Sequence, residues 1–363
     1  MAGSDLPPAH LLSAIRRGRP RASARYDQPM TAPTPTPAPV LLTGVAGFIG
    51  SHTAAALLRR GVPVVGVDNL DGFYEEDLKR RNLEAVRVAA AESGAAFAFE
   101  RADIRDRGAM EGLYRAHGVG STIHLAARAG VRPSIAEPAL YASVNVEGTS
   151  TLLDIARSAH PRGAFTMASS SSVYGNNEKV PFAETDDVNA PISPYAATKR
   201  ACELIAHTFH HLYGLPVSCL RFFTVFGPRQ RPDLAIAKFL RMAVEDRPLP
   251  VFGDGSTSRD YTYIDDIVAG VLAAHERIHE HGYRIWNLGG DRPVTLAEMV
   301  ATIGRVVGRE PRIARQPMQP GDVERTFADL TRSRAELGYA PTTPFEEGVR
   351  RQFAALSAAS PAA

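Results

Sequence analysis

The chain is 363 residues long, 44% hydrophobic and 22% charged, with a formal net charge of +2. That length and apolar content suffice for one large α/β core plus a smaller lobe, and they exclude a chain disordered throughout. Scattered Lys and Arg with so little net charge exclude a nucleic-acid-binding field, and no apolar run approaches the roughly 18 residues of a membrane span.

Residues 1–39 carry an Arg-rich run, Arg16 to Arg21, and then the Pro/Thr-rich TAPTPTPAP. This composition predicts a disordered, dispensable tail without the apolar stretch of a secretory signal, and makes Met30 an alternative start. From Val40 the pattern becomes regular. Val40 to Leu42 and Val62 to Val67 read as buried parallel strands, and between them Ile49, Thr53, Ala56 and Leu57 recur at helical spacing. The unit is strand, glycine-rich turn, helix, strand. Gly44, Gly47 and Gly50 let the turn approach a pyrophosphate at the helix N-terminus, where unpaired N–H groups favour an anion. Asp68, at the end of the second strand, is placed for ribose hydroxyls and would repel a 2′-phosphate, so NAD is expected rather than NADP.

The alternation continues with a helix around Leu78 to Ala91, a strand near Ala96 to Glu100, a helix from Ala109 to His117 and a strand from Thr122 to Ala127. Helices near Pro138 to Ser158 and Pro194 to Tyr213 bracket a strand ending in Thr166 to Ser169, and Val217 to Arg221 makes another. This predicts a Rossmann-type, doubly wound parallel sheet, with ligands at the carboxyl ends of its strands. From Gly227 on the chain becomes rich in Gly, Pro and charge. The expected organisation is an NAD-binding domain over 40–226 with a return segment at about 262–290, and a substrate-binding lobe from 227–261 and 291–355. His207, His210, His211, His275, His279 and His281 have no carboxylate or Cys completing a ligand set, so they are expected on solvated faces and no metal is expected. Cys202 and Cys219, without CxxC spacing, read as reduced thiols in a cytoplasmic protein.

Ser193 is a good N-cap followed by Pro194 at the first helical position, which puts Tyr195 and Lys199 one turn apart on one helix face. An ammonium beside a phenol favours the phenolate and draws its pKa from about 10 toward neutrality, making Tyr195 a base for a sugar hydroxyl. The serines of ASSSSVYG follow a strand and offer hydroxyls to share that proton.

In order and spacing, TGVAGFIG, DN, HLAA, SSSSVYG, YAATK and RFFTVFGP resemble the motifs of extended short-chain dehydrogenases/reductases of the nucleotide-sugar epimerase/dehydratase group, from Val40 to about Ala355. Within that group DNLDGFYEEDLKRRNL, PFAETDDV, HLYGLPVSCLRFFTVFG, SRDYTYIDD and MQPGDVERTFAD are most similar to UDP-glucuronate 4-epimerases. The resemblance implies that Gly44, Gly47, Phe48, Ile49 and Gly50 cradle the NAD pyrophosphate, that Asp68 and Asn69 hold the adenosine ribose, and that Asp103 and Ile104 hold the adenine. Leu125, Ala126 and Ala127 would line the nicotinamide half, with Asn145 nearby. Tyr195 would be the base, Lys199 the ribose anchor that tunes it, and Ser170 the completion of the proton network. Thr224, Arg231, Arg259 and Asp322, joined by Arg132, match positions that hold the nucleotide sugar.

The reaction so implied oxidises the sugar at carbon 4, turns the 4-keto sugar about its diphosphate and reduces it on the opposite face. Dehydratases and decarboxylases of the group resemble one another in carrying acidic residues just after the serine or threonine. Here Ser171 and Ser172 stand there, and with no carboxylate as second acid or base an epimerase is expected. Ser171, Ser172 and Thr224 would restrain the carboxylate of UDP-glucuronate through charge-assisted hydrogen bonds. At GPRQRPDLA many UDP-glucuronate epimerases carry Trp-Gly before the second Arg. The Arg229-Gln230 version resembles other 4-epimerases as well, so UDP-glucose/UDP-galactose epimerisation is the alternative. A non-catalytic NAD-binding scaffold would have no need of Tyr195, Lys199 and Ser170 together. The group's pairing of helices around Tyr141 to Ser158 and Ser193 to Tyr213 implies a homodimer, for which Ala201, Leu204, Ile205, Phe209 and Leu212 supply apolar surface.

Overall fold

The computed structural model describes residues 37–317 and 324–359. The expectations for residues 1–36 and for Asp322 lie outside the described residues. The strands are β1 (Val40–Thr43), β2 (Val64–Val67), β3 (Phe97–Glu100), β4 (Ser121–His124), β5 (Phe165–Ser170), β6 (Val217–Phe222), β7 (Thr224–Phe226), β8 (Leu249–Phe252), β9 (Ser258–Tyr263), β10 (Tyr283–Leu288), β11 (Pro293–Thr295) and β12 (Ile313–Gln316). The helices that position the site are α1 (Phe48–Arg59), α2 (Glu76–Ser93), α3 (Arg107–His117), α4 (Val131–Ala136), α5 (Pro138–Tyr141), α6 (Gly148–Ala159) and α7 (Pro194–Tyr213); α8 (Ala235–Val244) and α9 (Ile264–Arg277) follow.

Among the described residues seven strands form a parallel sheet in the order β3-β2-β1-β4-β5-β6-β10. Alternate residues of each strand face opposite layers, as strand geometry requires. Leu42 and Val64 pack with Leu58 of α1, Leu83 of α2 and Ile267 of α9. Their neighbours Leu41 and Val65 pack on the other side with Met110 of α3, Leu152 of α6 and Ala206 of α7. Helices therefore cover both faces, which is why the strands read as continuous apolar runs. β11, β9 and β7 form a small mixed sheet, and β12 pairs with β8.

Three local expectations are corrected. The strand expected over Thr122 to Ala127 ends at His124, where its partner β1 ends: Leu125 N makes the last ladder bond, to the Thr43 carbonyl (3.2 Å), and Ala126 N turns to Thr43 Oγ1 (3.2 Å) instead. The helix expected over Pro138 to Ser158 is interrupted by a π-helical stretch, Ala142–Glu147, the kind of local widening often found at functional sites. His275 is not on a solvated face. Its Nε2 meets Ser121 Oγ and its Nδ1 meets Thr166 Oγ1, both at 2.9 Å, and burial lowers its pKa to about 3.

Candidate active site

A cavity of about 550 Å³ opens at the carboxyl ends of β1, β2, β4 and β5 and reaches across to β7 and β9. One end is the glycine turn. Gly44 has φ +74°, a left-handed value, and a Cβ there would lie 2.8 Å from the Ala126 nitrogen. A Cβ on Gly47 would lie 3.0 Å from the Gly44 carbonyl oxygen, and one on Gly50 only 2.0 Å from it. The three glycines thus allow the turn to fold onto itself and against the loop after β4. Gly47, the N-cap of α1, has no side chain to satisfy the first N–H groups, and Phe48, Ile49 and Gly50 of that first turn form cavity wall.

Asp68 lies next to this turn, just after β2. Its two oxygens accept from Ala46 N (3.1 Å) and Leu70 N (2.8 Å), and Lys79 Nζ approaches to 4.0 Å. Burial raises the Asp68 pKa, opposed by Lys79 and by the two backbone donors. Asn69, Asp103 and Ile104 continue the wall. Asn69 Nδ2 donates to Asp103 (3.2 Å), and Arg105 grips the same carboxylate through Nε (2.9 Å) and Nη2 (2.8 Å), holding its pKa down at about 2.

Against the cradle, Leu125, Ala126 and Ala127 line the cavity. A buried relay stands behind them: Thr43 Oγ1 meets His124 Nδ1 at 2.7 Å, and His124 Nε2 meets Thr149 Oγ1 at 3.0 Å. Because Thr43 Oγ1 also accepts from Ala126 N, the relay fixes the loop after β4 as well as the ring. Asn145, on the π-helical stretch, is buried behind the wall, where it accepts from Arg128 N (2.8 Å) and donates to the Arg128 carbonyl and to Thr198 Oγ1 (both 3.0 Å).

α7 begins as the sequence predicts: the Ser193 hydroxyl accepts from Ala196 N (3.2 Å) with Pro194 in the first turn. Tyr195 and Lys199 both line the cavity. The Tyr195 ring packs edge-on against Tyr141 at 6.2 Å, and Lys199 Nζ donates to the Ala168 carbonyl at 2.8 Å. The end of β5 lines the same cavity. Ser170 Oγ accepts from Ser172 N (3.2 Å) and from the Ser172 hydroxyl (2.9 Å), which leaves Ser170 its own proton to donate. Ser171, Ser172 and Thr224 share this wall.

Two arginines close the far side. Arg231 binds Asp233 through Nε (3.0 Å) and Nη2 (2.6 Å), and Arg259 on β9 donates to the Ser258 carbonyl (2.9 Å). Arg132 stands off the cavity wall, its guanidinium 5.4 Å above the Phe252 ring.

The family model described as GDP-mannose 4,6 dehydratase matches residues 41–352. The chain belongs to that family. It is 38% identical to a UDP-glucuronate 4-epimerase of Thermodesulfobacterium geofontis over 312 residues, covering 86% of this chain and 94% of the relative. Among solved structures it is similar to the UDP-glucuronic acid 4-epimerase of Bacillus cereus in complex with UDP-glucuronic acid and NAD, with TM-score 0.80, 33% identity and 88% and 99% of the two chains covered. A UDP-glucose 4-epimerase of Thermotoga maritima with UDP-glucose is nearly as close, at TM-score 0.79, 32% identity and 88% and 98% coverage.

In this member of the GDP-mannose 4,6-dehydratase family, part of the cavity wall escapes sequence reasoning. Two guanidiniums lie over the Phe73 ring, Arg128 at 5.0 Å and Arg231 at 4.7 Å, a doubled cation–π contact. Arg128 Nη1 also pairs with Asp71 at 2.6 Å, and Lys79 Nζ donates to the Asp71 carbonyl at 2.7 Å. The segment after β2 is thereby pinned across the cavity flank. The only sequence signal was the position of Arg128 immediately after HLAA. Among the described residues no group of three His, Cys, Asp or Glu is placed to hold a metal ion.

Proposed function

We propose that the chain is an NAD-dependent UDP-glucuronate 4-epimerase, converting UDP-glucuronate to UDP-galacturonate through a 4-keto sugar. The observation that carries this reading is one cavity lined both by a glycine cradle, so tightly folded that a Cβ at Gly50 would collide with the Gly44 carbonyl, and by Tyr195, Lys199 and Ser170. The cradle fits a dinucleotide: Gly44, Gly47, Phe48, Ile49 and Gly50 would hold its pyrophosphate, Asp68 and Asn69 its ribose, Asp103 and Ile104 its adenine. Bound NAD supplies the acceptor, and later the donor, of the hydride at sugar carbon 4. Tyr195 Oη takes the proton of the 4-hydroxyl and returns it, and Ser170 relays it. Lys199, a buried cation anchored on β5, holds charge beside the phenol and donates to the nicotinamide ribose. Arg231 and Arg259 hold the diphosphate side while the sugar turns, on a lobe built from 227–261 and 291–355.

Oxidation at carbon 4 makes UDP-glucuronate a β-keto acid, which loses carbon dioxide when the bond to its carboxylate stands perpendicular to the carbonyl plane. Ser171 and Thr224 would prevent that alignment by donating to the carboxylate, whereas the Ser172 hydroxyl is engaged with Ser170. Thr224→Ala should therefore slow epimerisation and release UDP-4-keto-pentose, seen by mass spectrometry of the products. Slower epimerisation without any decarboxylated product would reject the restraint. Incubation with a panel of UDP-sugars, resolved by chromatography, tests the substrate. Turnover of UDP-glucose and UDP-galactose with none of UDP-glucuronate would overturn the assignment in favour of the UDP-glucose 4-epimerase reading.

The protein acts as a cytoplasmic homodimer pairing α6 and α7 of two copies. Ile205 and Phe209 pack on the chain's own core, while Leu204, Leu212 and Tyr213 on α7 remain exposed, an apolar strip with use for a second copy. Light scattering should give twice the chain mass, and a monomer at micromolar concentration would exclude the pairing. No helix among the described residues is long and apolar enough to cross a membrane.

A further inference from the structure

Directly beneath the Tyr195/Lys199 pair lies a buried ion pair that the proposed chemistry does not use. Glu203 follows Lys199 by one helical turn and Tyr195 by two, so all three share a face of α7. Its carboxylate is fully buried and accepts four donors: Ser169 Oγ of β5 (2.6 Å), Arg221 Nε (2.8 Å) and Nη2 (2.9 Å) of β6, and Arg200 Nη1 of α7 itself (3.1 Å). Ser169 and Arg221 are register partners in the β5/β6 ladder, so both reach the carboxylate from one level of the sheet. The Arg221 guanidinium lies 4.8 Å over the Tyr174 ring, which fixes it from below.

A charge pair taken wholly out of water is a poor source of stability, since apolar residues of similar volume do as well or better. What it does supply is direction. Sliding α7 along β5 by one residue, about 1.5 Å, would break the bonds from Ser169 and Arg221 together. Ser169 immediately precedes Ser170, and Glu203 rides on the helix that carries Tyr195. We infer that Glu203 and Arg221 are positioning residues for the epimerisation, a lock that sets α7 against the end of β5 and so places Tyr195 Oη against Ser170 Oγ. The inference rests on the proposed roles of those two oxygens. Lys199 is tied to the same strand independently of the lock, by its own bond to the Ala168 carbonyl.

The test replaces the pair by apolar residues, Glu203→Leu with Arg221→Met, in the full chain. The melting temperature should stay within about 5 °C of the parent. The kcat with UDP-glucuronate should fall at least about tenfold with KM changed less than about threefold, the signature of a misplaced reacting group. In a Ser170→Ala background the same double substitution should cost less than about twofold, because the contact it disturbs is already gone. Ser169→Ala, which removes one arm and leaves both charges paired, is the second variant should the double one not fold. It should lower kcat about threefold or more, with the same loss of effect in the Ser170→Ala background. Unchanged kcat in a folded variant, or an equal penalty with and without Ser170, overturns the inference. Full activity of Tyr195→Phe would overturn the proposed function itself, whereas an inactive Tyr195→Phe beside a fully active pair variant removes the positioning role alone.

Discussion

Tyr195→Phe should lose about 10³-fold in kcat on UDP-glucuronate while still binding NAD and sugar nucleotide, the range expected for deleting a positioned acid–base group. The ring packs edge-on against Tyr141 at 6.2 Å, and that contact needs no oxygen. The Tyr195 amide is held by Ser134 Oγ (3.1 Å) and its carbonyl by the Thr198 hydroxyl (2.8 Å), so the backbone is fixed independently of the phenol. Phenylalanine therefore subtracts a proton acceptor and little else. Turnover measured by chromatography of the uronate products, alongside calorimetric titration with UDP-glucuronate, separates chemistry from binding. Turnover within tenfold of the parent would mean that another group takes the proton.

Gly50→Ala should abolish NAD retention and, with it, activity. The added Cβ would stand 2.0 Å from the Gly44 carbonyl oxygen and 2.7 Å from its carbon, both backbone atoms of the turn. No side chain can rotate away to relieve this, so either the turn opens or α1 shifts. Opening the turn is resisted, because Gly44 N is bonded to the Val67 carbonyl (2.8 Å) and Gly47 N to the Gly44 carbonyl (2.9 Å). Overpacking of this kind costs about 1–3 kcal/mol, so the protein should still fold while its cradle is deformed. The ratio of absorbance at 260 and 280 nm, after extraction of bound nucleotide, reads the loss. A variant purified with the parent's NAD content would show that the turn accommodates a side chain.

The parts of this molecule legible in sequence are those written by neighbours in the chain. The cradle, Asp68 and the Tyr195/Lys199 pair each lie within one strand–turn–helix segment, where spacing alone dictates who shares a face. Long-range partners erase that legibility. β4 stops at His124 because its partner β1 stops at Thr43, and Ala126 N turns to the Thr43 side chain, 83 residues earlier in the chain. The π-helical stretch carries Asn145, whose side chain clamps the Arg128 peptide, and nothing in the local periodicity announces a wider turn. Phe73 reads as an ordinary loop aromatic until Arg128 and Arg231 are seen over its ring. The local pattern around His275 predicts a solvated side chain, because it carries no sign of the two hydroxyls that β4 and β5 supply.

Ser170, Ser171, Ser172 and Thr224 line the same cavity as Tyr195 and Lys199. A hydroxyl turns one proton about its C–O bond and so becomes donor or acceptor as its neighbour requires, a freedom that neither an ammonium nor a carboxylate has. If the sugar docks there as proposed, such a surface should register its outline and be indifferent to its handedness at carbon 4. Each epimer should then compete with the other for the same berth on nearly equal terms, with accumulated product inhibiting about as readily as substrate binds. The direction of flux would be left to whatever reaction removes one of the two uronates from solution.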